Sequence, residues 1–298
     1  MLHVTLRAPA KINLSLRVLG RRVDGYHELD SVFVPLSLAD TVELRCEPAA
    51  QTTVSCVCPE RPELDGAQNL AARAAQRYLE RVGATAAVSL RVTKRIWAAA
   101  GLGGGSSDGS AVLRALEAHF AAAGRGLGPA ALAALALELG ADLPFFLQPR
   151  VARARGVGEE LAPFPGVPPL HLVLLNPGQP LPTASVYAAL GLARGARAPA
   201  PPALPPPTGS LASVLPWIAN DLEAPAIRLC PAVAELKRHL LGAGARAACM
   251  TGSGPTVFGV FESAEETGVA VAELAVSTGI PALAVCAGEL DSERRDPL

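Results

Sequence analysis

The chain has 298 residues, half of them hydrophobic, few aromatics (4%) and a formal net charge of −1, which is length enough for two domains with substantial cores. So even a charge balance excludes a general electrostatic attraction to nucleic acid or to an anionic membrane. The longest apolar region, residues 129–147, is interrupted by Glu138, Gly140, Asp142 and Pro144 and so does not read as a membrane span. The start lacks the basic and apolar segments of a signal peptide. A cytoplasmic, globular protein is expected. The six cysteines (46, 56, 58, 230, 249 and 286) show no C-x-x-C spacing, so buried, reduced thiols are expected.

In chain order, residues 2–44 hold short apolar runs that read as strands, split by a turn signal at residues 20–26; a hairpin follows. Leucine and alanine at helical spacing predict a surface helix over 69–82, and a strand follows over 87–93, within a strand-like run that extends from 88 to Ile96. A glycine-rich loop at 98–108 leads into a helix from Ser107 to Ala123. A second helix runs from Pro129, well placed at a first helical position, to Leu139, with Gly140 just past its end. Beyond the proline-interrupted residues 162–169 come a strand at 170–175, a helix from Thr183, and a polyproline-like surface loop at 199–207. Then follow a helix from Pro231, strands at 246–250 and 257–261, a helix from Ser263 and a last strand at 282–286. The alternation predicts an α+β sandwich. The boundary is placed near 160–168, giving units 1–162 and 163–298.

The loop is a candidate phosphate cradle. Gly101, Gly103, Gly104 and Gly105 can take positive φ and turn amides toward an anion, and the next helix opens with Ser106, Ser107 and Asp108 as cap residues. The glycines miss the G-x-G-x-x-G order, since the sixth position is Ser106 or Asp108. The chain also has no Gly-Lys dipeptide, so a Walker A loop is excluded. Asp142 sits among apolar neighbours, where it is either a helix cap or a charge that needs a cation beside it. There are only three lysines, and two of them, Lys11 and Lys94, flank motifs.

Pro9-Ala-Lys-Ile-Asn-Leu14, Gly101-Leu-Gly-Gly-Gly-Ser-Ser107 and Thr251-Gly-Ser-Gly-Pro-Thr256, in that order, resemble the three signature motifs of the GHMP kinase superfamily. Asp24-Gly-Tyr-His-Glu-Leu29, Leu139-Gly-Ala-Asp-Leu-Pro144 and Asn176-Pro-Gly-Gln-Pro-Leu-Pro-Thr183 are similar to the branch that phosphorylates cytidine-diphosphate-linked methylerythritol. The likeness spans residue 8 to about 261. It implies a two-domain α+β fold, with an N-terminal domain of the ribosomal-protein-S5-domain-2-like type and a C-terminal ferredoxin-like domain, and an active site in the cleft between them. It implies ATP as co-substrate, with Mg2+ on its phosphates, and transfer of the γ-phosphoryl group to the 2-hydroxyl of the erythritol unit.

The resemblance also carries roles onto this chain. Lys11 and Asp142 become the catalytic pair, Asp142 accepting the hydroxyl proton. Gly101, Leu102, Gly103, Gly104, Gly105, Ser106 and Ser107 become the ATP-binding loop, with Ser106 or Ser107 as the side chains to reach the metal. Tyr26, His27 and Tyr187 become the cytosine pocket, and Asn13 and Thr183 polar contacts to the rest of the substrate. Gly252-Ser-Gly254 either closes the cleft or is a tight strand connection, and Asn220-Asp221 is assigned a structural part.

The chain departs from the family pattern before the loop. Trp97 stands for a proline, further glycines of the pattern are missing, and Ala99 and Ala100 add Cβ atoms, each costing on the order of 1 kcal/mol if positive φ is required there. Two other readings remain: a superfamily kinase for homoserine, mevalonate or a sugar, against which Tyr26, His27 and Tyr187 argue, and a nucleotide-binding protein without catalysis, against which Lys11 and Asp142 argue. A monomer or homodimer acting on small molecules is expected, without nucleic acid or membrane as partner.

Overall fold

The computed structural model describes residues 1–199, 201 and 203–288. It opens with two long strands, β1 (Leu2–Arg21) and β2 (His27–Pro48), paired antiparallel from Leu2 opposite Cys46 to Arg21 opposite His27. Between Pro9 and Lys11 the register slips: two steps along β1 match four along β2. The surplus lets Leu36 of β2 pair with Ala287, far along the chain, so one strand serves both halves of the molecule.

β3 (Thr53–Val57), parallel to β4 (Ala86–Thr93), extends the first half, and β4 pairs with β2. Helices α1 (Leu70–Val82), α2 (Gly104–Ala122), α3 (Pro129–Leu139) and α4 (Leu143–Leu147) bury alanine- and leucine-rich faces in one core with β1, β2 and β4. α1 starts where the Asn69 side chain accepts the Ala71 amide and stops at Gly83 in the left-handed region, a complete pair of caps. β5 (Ala152–Gly156) and β6 (Glu160–Pro163) form a hairpin that pairs through β5 with Leu29–Phe33 of β2, on the edge away from β1.

The chain then runs through β7 (Leu170–Leu175), α5 (Thr183–Ala189), α6 (Leu211–Val214), β8 (Ala219–Asn220), α7 (Glu223–Leu229), α8 (Ala232–Gly242), β9 (Ala247–Met250), β10 (Val257–Phe261), α9 (Ala264–Thr278) and β11 (Ala282–Ala287). Numbering β7, β9, β10 and β11 as 1 to 4, the antiparallel order is 4-1-3-2. With α8 and α9 as the crossovers this is a βαββαβ unit, the ferredoxin-like arrangement that the resemblance implies. β11 pairs with β2 and β8 with β1. A shared core joins Ile12, Leu14 and Val34 to Leu172, Phe258 and Val285.

The alternation of apolar residues left β3, β5, β6 and β8 and the short helices α4, α6 and α7 unpredicted. They are too brief to show a period, and pairing partners distant in sequence decide them. Positions 200 and 202 of the predicted proline-rich loop lie outside the described residues; its described part has no regular structure, and Pro205 accepts a hydrogen bond from the Trp217 indole at 3.1 Å. Cysteines 46, 56, 58, 230 and 249 are buried as expected, whereas Cys286 is exposed.

Candidate active site

β4 ends at Thr93 and does not reach Ile96. The cause is Asp40, whose Oδ1 accepts the amides of Arg95 (2.5 Å) and Ile96 (2.8 Å) and so withdraws them from the ladder. α2 begins three residues earlier than predicted, at Gly104, because Gly103 caps it from the left-handed region (φ +72°), its carbonyl accepting the Ser107 amide at 2.9 Å. Ser107 and Asp108 are therefore buried helix residues and not caps. No side chain caps α2, so the amides of its first turn, from Gly104, Gly105 and Ser106, lie ahead of the first helical acceptor. Such a helix start attracts an anion.

Two glycines of the loop are required by close approach. A Cβ on Gly101 (φ +75°) would lie 2.4 Å from the Thr251 carbonyl oxygen, and one on Gly103 would lie 2.7 Å from the Phe146 ring. Ahead of them Ala99 does take positive φ (+51°), as the departure from the family pattern suggested, but among the described residues it is the one non-glycine that does. Ala100 does not, and it is buried in the shared core, so the expected strain is absent there.

Just past the register slip, the Lys11 amide donates to the carbonyl of Leu102 at 3.0 Å, tying β1 to the loop. Lys11 Nζ donates to Asn13 Oδ1 (2.7 Å), lies 3.5 Å from Asp142 Oδ2 and stands 4.7 Å from the centre of the Phe33 ring. Asn13 in turn donates to Ser31 Oγ (2.8 Å), which donates to the Ser15 carbonyl (2.5 Å). The ammonium is thus held in one place by a buried polar chain. Asp142 occupies the cap position of α4 but makes no cap hydrogen bond; its partner is Lys11. It is also less enclosed than its apolar neighbours suggest, at 36% exposure against 4% for the lysine. The apolar residues after it are anchors: Leu143, Phe145 and Phe146 are buried, and Ser110 of α2 donates to the Leu143 carbonyl at 2.8 Å.

The other end of the cleft is aromatic. The rings of His27 and Tyr187 lie 4.6 Å apart, tilted by 30°, and Tyr26 beside them is 64% exposed. Burial, and then the charge of Arg21, push the His27 pKa below its ordinary value. Burial, and then the charge of Asp142, push the Tyr187 phenol up. The His27 Nε2 atom is buried without a hydrogen-bond partner among the described residues. Thr183 Oγ1 and Ser253 Oγ are 2.8 Å apart, and the Asn220 amide donates to the carbonyls of Met250 (2.7 Å) and Gly252 (2.8 Å), which fixes the turn against the glycine loop.

These residues line one cleft of about 1210 Å³. It holds Lys11, Asn13, Tyr26, His27, Gly101, Gly103, Gly104, Gly105, Ser106, Asp142, Thr183 and Tyr187. Leu102 and Ser107 are not on its wall: Leu102 is a core residue, and the Ser107 hydroxyl is buried without a partner among the described residues.

Sequence reasoning missed one cluster. Lys94 donates to Asp40 and, at 2.7 Å, to Asp108 of α2, and all three side chains are at least nine-tenths buried. One ammonium thereby fastens the strand end to the helix on either side of the loop. Burial pushes the Asp108 carboxyl up to about 7, Lys94 opposing and the Asp40 charge adding to the effect. The scarcity of lysine flagged Lys94, but nothing in the spacing connects it to a residue 54 positions earlier.

An uncapped helix start beneath a glycine loop and a lysine–aspartate pair on the same cleft wall supply the positioning and positive charge that phosphoryl transfer requires, and the family comparison gives the class of the protein. The GHMP kinases N terminal domain model matches residues 69–149 and the GHMP kinases C terminal model residues 207–275. The chain belongs to the GHMP kinase family.

Its curated relatives carry a more particular name. It is 51% identical over 261 residues to the 4-diphosphocytidyl-2-C-methyl-D-erythritol kinase of Anaeromyxobacter dehalogenans (strain 2CP-C), covering 87% of this chain and 80% of that one. To the kinase of the same name from Geobacter metallireducens it is 41% identical, covering 89% and 92%. A crystal structure of 4-(cytidine 5'-diphospho)-2C-methyl-D-erythritol kinase superposes with a TM-score of 0.78 at 39% identity, covering 96% of this chain and all of that one. The homoserine kinase of Cytophaga hutchinsonii shares the fold alone, with a TM-score of 0.68 at 17% identity over 97% and 95% of the two chains.

Proposed function

We propose that this chain is an ATP-dependent kinase that phosphorylates the 2-hydroxyl of 4-diphosphocytidyl-2-C-methyl-D-erythritol, a step of isoprenoid precursor synthesis. The observation that carries the reading is the single cleft with two chemically distinct ends. Lys11 and Asp142 face the start of α2 between them. Relatives at up to 51% identity that bear this enzyme's name supply the substrate.

The amides of Gly104, Gly105 and Ser106 cradle the β- and γ-phosphates, and the acceptor hydroxyl lies near Asp142. Asp142 Oδ2 takes the hydroxyl proton, and Lys11 Nζ, already held by Asn13, neutralises charge on the transferring group. In a loose transition state the proton leaves late, so Asp142 acts by orientation as well as by basicity.

Among the described residues no group of three or more His, Cys, Asp or Glu side chains is arranged to hold a metal. That fits magnesium, which keeps several waters and is carried largely on substrate phosphates. When bound, it would supply charge neutralisation on those phosphates, and Ser106, on the cleft wall, is better placed to reach it than the buried Ser107.

Tyr26, His27 and Tyr187 take the cytosine, and Asn13 and Thr183 the polar middle of the substrate. The units 1–162 and 163–298 form the two sides of the cleft; the two matched family regions, 69–149 and 207–275, lie on either side of that division, which falls at the end of β6, just ahead of the stretch 164–169 that leads to β7. The reading carries with it a cytoplasmic monomer or homodimer working on small molecules, without nucleic acid or membrane as partner. The charge balance of the chain, −1 overall, is what supports the absence of a polyanionic partner; separately, among the described residues, no helix is long and apolar enough to cross a membrane.

The test is ATP-dependent phosphorylation of the cytidine-linked substrate by wild type and Asp142→Asn side by side. Turnover is expected to fall about a hundredfold or more in the variant. A variant that keeps most of the turnover, or a wild type that prefers an alcohol without cytidine, would overturn the assignment.

A further inference from the structure

The aromatic wall is assembled from two places far apart in the chain. His27 follows the β1–β2 turn, and Tyr187 lies on α5, a helix of seven residues. A short helix at a domain surface does not hold one ring at a fixed distance from another unless something ties it down. The tie is visible at residues 192–198, which leave α5 and lie along the end of β1. The Arg21 amide donates to the Ala196 carbonyl (2.9 Å), Gly195 donates to Arg21 (2.7 Å), and Ala198 donates to Leu19 (2.8 Å).

Arg21 completes the tie with its side chain. Its Nε donates to the Gly25 carbonyl (3.3 Å), two residues before His27, and its Nη1 donates to the Leu192 carbonyl (3.1 Å), five residues after Tyr187. One planar guanidinium thus joins both sources of the wall, with a fork geometry that an ammonium does not reproduce. Position 20 is shaped to the same contact: a Cβ there would lie 2.5 Å from the Ala196 carbonyl oxygen, so the strap closes only over glycine. Arg194, from the strap, lies on the turn itself, its guanidinium 3.3 Å from where a Cβ on Gly25 would stand.

We propose that Arg21 is a positioning residue for nucleobase recognition: by bracing the 22–26 turn against the 192–198 strap it sets the spacing of His27 and Tyr187. This rests on the proposed function, in which that wall receives the cytosine. The bonds that hold Lys11, Asp142 and the glycine loop run to Asn13, Leu102 and Thr251 and not to the strap, so its loosening is felt at one end of the cleft.

The experiment is steady-state kinetics of wild type, Arg21→Ala, Arg21→Lys and Gly20→Ala, varying each substrate in turn, with melting temperatures measured alongside. Turnover of the cytidine-linked alcohol by wild type tests the proposed function by itself. For the inference, Arg21→Ala is expected to raise the KM of that substrate about tenfold, the effect of losing one or two charge-assisted hydrogen bonds, and Gly20→Ala, which pushes the strap off β1, by a similar factor. The KM of ATP should move less than twofold, and Arg21→Lys should fall between wild type and Arg21→Ala. Binding of cytidine diphosphate, measured by calorimetry, should weaken in the same order, a readout that stands whichever alcohol is the acceptor. A parallel rise in both KM values together with a lower melting temperature would show a merely structural residue. Unchanged KM and cytidine diphosphate affinity in both Arg21→Ala and Gly20→Ala would equally overturn the proposal.

Discussion

Ala99 and Ala100 are adjacent, chemically identical and predicted by sequence to behave alike, yet the structure sets them in opposite situations. Ala99 is exposed on the cleft wall at φ +51°. An L-residue pays about 1–2 kcal/mol in that region, and Ala99→Gly removes it, while glycine's freer unfolded chain returns about 0.4–1 kcal/mol. The net expectation is a gain of about 0.5–1 kcal/mol. Ala100 has no such strain and is 3% exposed. Ala100→Gly loses a buried methyl, about 0.8 kcal/mol, and adds the same entropic penalty, for a loss of about 1–2 kcal/mol. Two single-methyl deletions one residue apart should therefore differ by about 2 kcal/mol with opposite sign. Denaturant titration reads this directly; in a chain of this size the thermal midpoint moves by only about 1–2 °C per kcal/mol. The KM of ATP should be unchanged or lower in Ala99→Gly. If both variants are destabilised equally, the positive φ at Ala99 is not a source of strain and the reasoning fails.

Gly105 sits in the first turn of α2 at an ordinary helical φ, and a methyl added to it would meet nothing within 4 Å, so Gly105→Ala should leave stability unchanged or raise it by up to about 1 kcal/mol. If its amide approaches phosphate, the KM of ATP rises several-fold in the same variant; an unaltered KM would remove Gly105 from the cradle. Lys94→Met leaves the fully buried Asp40 without its cation, and a loss of about 3–5 kcal/mol is expected in urea unfolding. A loss under about 1 kcal/mol would mean that the cluster does not fasten the loop. For His27 the folded-state pKa lies below the ordinary 6.5. The unfolded chain therefore binds the proton first as the medium is acidified, and stability that is complete above pH 6.5 drains away as pH falls toward the folded value. Stability measured against pH should show this decline in wild type and a flatter profile in His27→Gln; identical profiles would refute it.

Much of the site is legible in one dimension. Lys11, Asp142 and the loop glycines carry signals there, because a scarce residue type, a lone charge among apolar neighbours and a run of residues without Cβ are each costly unless used. Asp40 carries no such signal. An aspartate after a short apolar run reads as an ordinary surface residue until Lys94 and the amides of Arg95 and Ile96 are found around it. Arg21 likewise reads as one of two arginines in a polar turn, and only the return of residues 192–198 gives its guanidinium two carbonyls to hold.

The sequence by itself determined the long hairpin, the main helices, the glycine-rich loop ahead of a helix and the kinase family, since these rest on local periodicity, backbone permissiveness and motif order. Tertiary structure alone decided where β4 stops, where α2 starts, and which of two neighbouring alanines is strained. Between the two readings that Asp142 allows on its residue type alone, cap or paired charge, the structure has the pairing with Lys11 that the resemblance implied, although Asp142 stands at the cap position of α4. The physical reason is common to all four. Each depends on which of several available hydrogen-bond or steric partners reaches a group first; Asp40 and Lys11 are brought there by strands that meet only when the chain is folded, and Gly103 is held in its left-handed turn where a Cβ would strike the Phe146 ring.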